Sequence, residues 1–294
     1  VITGPGSRSD AGGVDVGRDE GRTLRGYDSG DGQLVVVWFH GTPNLGPPPE
    51  PLAPLAAELG VRLVGYDRPG YGGSTPRPDR PVASAAGDVA ALCDALGVQR
   101  FAVMSHSGGG PHALACAALL GERVLAAACI ASLAPRDAAN IDWFADMAPD
   151  GVAALRAAIA GRAAKEAHER SGAPYDPLFT EADLATLSGT WSWLQDVVGP
   201  AVEAGPDALI DDDLAYVRPW GVELSRVSCP TLLVHGGRDR VVPPQHSAAL
   251  AEAIPRVTLW QRPDHGHLSV LTESDAVLRW LVDQAAAVPA DGQS

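Results

Sequence analysis

The chain has 294 residues, a formal net charge of −14 and 46% hydrophobic residues. Such an acidic balance argues against nucleic acid and anionic membranes as partners, and the apolar content suffices for a sizeable core in one moderately large domain. The longest apolar run, Val124 to Ala134, is too short to cross a bilayer.

The predicted elements run as follows. Residues 1–19 are rich in Gly, Ser and Asp without apolar period, and are expected to form a flexible arm. No basic-then-apolar signal pattern opens the chain, so a cytoplasmic location is expected. Strand and helix patterns then alternate: strand Leu34–Phe39, helix Pro51–Leu59, strand Val61–Tyr66, helix Ala83–Leu96, strand Arg100–Met104, helix Pro111–Leu120, strand Val124–Ser132. Unbroken apolar strands alternating with helices imply a mostly parallel sheet flanked by helices, an α/β fold. The alternation stops at Pro135. Residues 136–224 carry only helical patterns and are expected to be an inserted cap of about three to four helices. Within it, Leu184, Leu187, Trp191, Leu194 and Val198 form a stripe opened by Thr180–Asp183 and closed by Gly199-Pro200. The core, 20–135 and 225–294, resumes with strands at Val227–His235 and Val257–Trp260 and ends with a helix, Thr272–Gln284. Cys93, Cys116, Cys129 and Cys229 lie far apart in apolar runs, matching neither metal spacing nor a disulfide framework, so buried thiols are expected.

Chemistry enters at Ser105-His106-Ser107-Gly108-Gly109, between a strand pattern and a helical run of small residues. A serine at a strand-to-helix turn is lifted clear of the sheet, beside the free amides of a helix N-terminus. The tight turn demands small residues two before and two after Ser107, and Gly109 and Ser105 meet that demand. Asp239 follows one later strand pattern, and His265 and His267 follow the next. Each thus falls beyond the carboxyl end of a strand, where open α/β sheets place their sites.

With His40-Gly41-Thr42-Pro43 and Tyr66-Asp67-Arg68-Pro69-Gly70-Tyr71-Gly72-Gly73-Ser74, these motifs make the chain resemble the α/β-hydrolases, across about Leu34 to Leu281. The likeness is to the esterase, haloperoxidase-like and epoxide-hydrolase-like branch. Ser105 departs from the family pattern, which has glycine there. The resemblance implies a triad of Ser107, Asp239 and His267. His265 competes with His267, and Asp264 and Asp137 compete with Asp239; the family's Gly-His pair and its acid turn favour His267 and Asp239. Gly108 is an oxyanion donor by its place after the nucleophile, and the resemblance adds Thr42. His40, Trp143 and Trp193 are expected to bind substrate, Trp193 because it lies off the helical stripe. Asp67, His106 and His112 are expected to be structural.

The implied activity is cofactor-free, metal-free hydrolysis of a small-molecule ester or lactone with an apolar portion, by a monomer or homodimer. C–C hydrolysis and aminopeptidase action are rivals on the same fold. A non-catalytic binding protein is the rival of another class, against which the intact triad weighs. Epoxide hydrolases and haloalkane dehalogenases fit poorly, since both need a carboxylate where Ser107 stands.

Overall fold

The computed structural model describes residues 12–287 except Asn140. Eight strands form one sheet: β1 (Gly12–Gly17), β2 (Thr23–Asp28), β3 (Leu34–Phe39), β4 (Val61–Tyr66), β5 (Phe101–His106), β6 (Val124–Ile130), β7 (Thr231–Gly236) and β8 (Val257–Arg262). Their spatial order is β1-β2-β4-β3-β5-β6-β7-β8. β2 pairs antiparallel with both β1 and β4, and every other pair is parallel.

Period-two alternation along buried strands builds two cores, one on each face. Val35, Val37, Phe39, Phe101 and Val103 enter one core, with residues of α2 (Ser84–Ala95), α3 (Gly109–Leu119) and α9 (Gln245–Ala253). Val36, Trp38, Ala102 and Met104 enter the other, with residues of α1 (Ala53–Glu58) and α10 (Ser274–Ala286). α3 is alanine-rich and buried along nearly its whole length. Its small side chains let the helix lie close to the sheet directly behind Ser107. The four cysteines are buried free thiols.

The expected flexible arm is partly overturned. Gly12–Gly17 pairs along its length with β2, Val16 is buried, and Arg18 Nε donates to the buried Asp88 of α2 at 3.2 Å. With valine only at positions 14 and 16 among glycines and an aspartate, this edge strand carries too short an alternation to read. Residues 1–11 of that arm lie outside the described residues. β7 starts at Thr231 rather than Val227, because a 3-10 turn and then Pro230, which has no N–H for the ladder, precede it.

Between β6 and β7 the described residues hold five helices, α4 (Pro149–Ala160), α5 (Arg162–Arg170), α6 (Glu181–Ser188), α7 (Trp193–Glu203) and α8 (Asp207–Val217), and no strand. This is the inserted helical cap. The single stripe expected over 184–198 is two helices broken at Gly189, and Leu184 is exposed. Pro200 does not close α7, which continues to Glu203 with Ala201 packed against Tyr71 and Ala208.

Candidate active site

Ser107 follows the last residue of β5 and precedes α3, with φ at +53°. A left-handed backbone at a non-glycine residue is costly and persists where surroundings impose it. Here the Ser107 amide is bonded to the Ile130 carbonyl at 2.9 Å, and close packing fills the turn. A Cβ at Gly109 would overlap the Phe39 carbonyl, and one at Gly110 would overlap Ser132 Oγ. Ser105 fits where glycine is usual because its hydroxyl, fully buried, donates to the Ala128 carbonyl at 3.3 Å.

His267 lies in the loop between β8 and α10, its Nε2 2.9 Å from Ser107 Oγ. Its Nδ1 lies 2.7 Å from Asp239 Oδ2. The carboxylate therefore selects the tautomer with the proton on Nδ1 and leaves Nε2 free to accept from the serine. Asp239 Oδ1 accepts the amides of Val241 and Val242 at 2.8 and 2.9 Å. Burial alone would raise this acid, yet His267, bonded to it, and the His235 imidazole 3.4 Å away hold it well below the usual carboxylate range. His235, on β7, supports the turn: its Nε2 donates to the Val242 carbonyl at 2.7 Å and its Nδ1 meets Ser247 Oγ at 2.5 Å. His235 was not legible in the sequence, where it reads as one more strand residue.

The competing residues sit elsewhere. His265 Nδ1 donates to the Ser269 carbonyl at 2.9 Å, Asp264 is exposed and paired with Arg238, and Asp137 is exposed. A serine, an acid and a histidine from three strand ends thus meet in the order required of one fold. The alpha/beta hydrolase fold family matches residues 35–274. The chain belongs to that family.

Its relatives span several activities. The chain is 29% identical over 258 residues to the non-heme chloroperoxidase of Streptomyces lividans, an alignment covering 82% of this chain and 88% of that one. A thermophilic esterase from Thermogutta terrifontis superposes with a TM-score of 0.68 at 24% identity, covering 94% of this chain and 100% of that one. The enol-lactonase from Burkholderia xenovorans does so with a TM-score of 0.64 at 22% identity, covering 91% and 98%.

The side of this α/β-hydrolase site facing the cap holds groups the sequence did not reveal. Arg68, buried, donates to the His40 carbonyl, to the Gly41 carbonyl at 2.8 Å and to Thr42 Oγ1 at 2.8 Å. It also forms two bonds with Asp212 of α8, which receives Arg80 as well. Burial would raise Asp212, and the two guanidiniums instead hold it well below the carboxylate range. Arg68 lay in a motif already singled out, but Asp212 lies in the run Asp211-Asp212-Asp213, where nothing in sequence separates a buried acid from its neighbours. Asp67 ties its own loop as expected, accepting from Gly46 N, Gly73 N and Tyr27 Oη.

Packing bears on three substrate-binding expectations. His40 is buried, with Nδ1 donating to the Gly41 carbonyl at 2.8 Å and Nε2 accepting from Arg68 N at 3.1 Å, so neither nitrogen is left for a ligand. Burial beside Arg68 holds it neutral, well below the ordinary histidine value. Trp143 is buried, donates from Nε1 to the Ala134 carbonyl at 2.8 Å, and stacks edge-on against His246. Trp193, at the start of α7, is buried edge-on to Trp191 in the apolar cluster that also holds Leu194, Val197 and Leu268. A cavity of about 430 Å³ lies between the Gly70–Gly72 turn and α5, α7 and α8, and Ser107 does not line it.

Proposed function

We propose that this α/β-hydrolase cleaves a small ester or lactone through an acyl-enzyme formed on Ser107. One observation carries the reading: the continuous relay from Ser107 Oγ to His267 Nε2 at 2.9 Å and from His267 Nδ1 to Asp239 Oδ2 at 2.7 Å, beside a helix N-terminus. In the first step Oγ bonds to the carbonyl carbon, its proton passes to His267 Nε2, and the carbonyl π pair moves onto oxygen. The Gly108 and Thr42 amides are the donors for that oxyanion; neither has an acceptor among the described residues. The oxyanion collapses, the leaving alkoxide takes the proton from His267, and the acyl group stays on Oγ. Water then repeats the sequence with His267 as base and frees the acid. Asp239 keeps its charge throughout, orienting the imidazole and stabilising its cation. The esterase and enol-lactonase among the structural neighbours agree with this substrate class. The apolar portion expected of the substrate rested on Trp143 and Trp193, both buried against neighbouring side chains, and it is not carried forward.

Incubation with a fluorophosphonate should label one serine, Ser107, and p-nitrophenyl acetate should be hydrolysed. A folded protein that is neither labelled nor active on esters and lactones overturns the proposal.

A further inference from the structure

The Thr42 amide belongs to the peptide joining Gly41 to Thr42, which is trans, so its N–H points opposite to its carbonyl. That carbonyl oxygen is held by two donors, His40 Nδ1 and Arg68 Nη2, each at 2.8 Å. Fixing the oxygen from behind fixes the direction in which the N–H points. The Thr42 hydroxyl is held too: it donates to Asp212 Oδ2 at 2.6 Å, accepts from Arg68 and lies 2.7 Å from Tyr216 Oη. Tyr216 Oη in turn donates to the Gly108 carbonyl at 2.9 Å, which also accepts His112 Nδ1 at 3.0 Å. Asp212 and Tyr216 stand four residues apart on α8 and so share one helical face. A side chain at Gly108 would overlap both Tyr216 Oη and Thr42 Oγ1, so the glycine lets the cap helix approach this closely.

We propose that α8 of the cap is part of the oxyanion machinery, with Asp212 and Tyr216 as positioning residues: Asp212 holds Arg68, which pins the Gly41 carbonyl behind the Thr42 amide, and Tyr216 clamps the Thr42 hydroxyl to the Gly108 carbonyl, so that the two segments of the oxyanion site keep their spacing. The inference rests on the acyl-enzyme reading above. It means that the cap bears on the chemical step itself, beyond roofing the serine. Loss of the Tyr216 hydroxyl or the Asp212 carboxylate loosens the segments that carry the two amides, and oxyanion donors act only when preorganised.

Tyr216→Phe removes one oxygen and keeps the ring. With active sites counted by fluorophosphonate labelling of the full chain, kcat per site on p-nitrophenyl acetate should fall by roughly 10–100-fold, with KM within about twofold. The labelling rate constant at saturating probe should fall with it. The Ki of a trifluoromethyl ketone, which adds Oγ to give an anionic tetrahedral adduct, should rise by the same factor. The Ki of the matching methyl ketone should not change. Asp212→Asn should act in the same direction. Unchanged kcat and labelling, a raised KM with kcat intact, or fewer active sites of unchanged kcat would each overturn the proposal. A wild type without labelling or turnover overturns the acyl-enzyme reading and this one with it. An active wild type indifferent to Tyr216→Phe overturns this one alone.

Discussion

At Ser107 the positive φ, the buried glycine contacts and the 2.9 Å approach to His267 all bear on one oxygen atom. If the three side chains act as a unit, removing one should cost nearly as much as removing two. Ser107→Ala and His267→Ala are each expected to lower kcat by about 10⁴–10⁶, with the double variant little worse. His265→Ala should retain turnover within about tenfold, since that ring bonds only the Ser269 carbonyl in its own loop. Steady-state rates on p-nitrophenyl acetate decide between the two histidines. A dead His265→Ala beside an active His267→Ala would reverse the assignment.

One acid links two elements. Asp183 caps α6, its Oδ2 accepting Thr180 N at 2.9 Å while Thr180 Oγ1 accepts Asp183 N at 3.1 Å. Its Oδ1 reaches the loop bearing His267, accepting Leu268 N at 2.8 Å, Ser269 N at 2.7 Å and Ser269 Oγ at 2.9 Å. These bonds outweigh burial and hold the carboxylate below its ordinary value. Asp183→Ala leaves buried amides unpaired, which costs about 1–3 kcal/mol for each. Urea unfolding should show that loss, and kcat should fall because the histidine loop is released; full activity with unchanged stability would contradict the link. Trp143→Ala and Trp193→Ala should each destabilise by about 3–5 kcal/mol and slow acetyl and long-chain esters alike, because both rings are packing elements. A selective loss on long esters at unchanged stability would return these residues to the pocket.

Across the molecule, buried neutral histidines make stability depend on pH. Burial, aided by the neighbouring His267, Arg68 and His235 respectively, pushes His106 and His112 down to about 3 and His246 down to about 4. An unfolded histidine titrates near about 6.5. Below that pH the unfolded chain binds protons that the native one refuses, so each contribution is full above about 6.5 and is lost as pH falls toward the folded value. The slope is about 1.4 kcal/mol per pH unit for each group. Urea unfolding at pH 7.5, 6 and 5 should therefore show stability falling by several kcal/mol. His246→Gln, away from Ser107, should flatten the slope by about one histidine's share. Stability that holds level down to pH 5 would contradict this account.

Some properties were decided along the chain. Unbroken apolar strands alternating with helices determine a covered parallel sheet, and a small-residue strand–turn–helix around Ser107 determines an elbow, since both follow from local periodicity and steric demand. The positions of Asp239 and His267 after strand patterns could be read for the same reason. Other properties required the packed molecule. The strand at Gly12–Gly17 exists because β2 offers it a partner, and its own sequence holds only two apolar residues. Trp143 and Trp193 look alike in sequence whether they face a ligand or a core, and only their neighbours made them packing residues. Asp212 lies 144 residues from Arg68, and no local pattern can announce that pairing. Periodicity reports what a residue does to its own segment. Charge pairing and side-chain destination are set between segments, and those the tertiary structure alone decided.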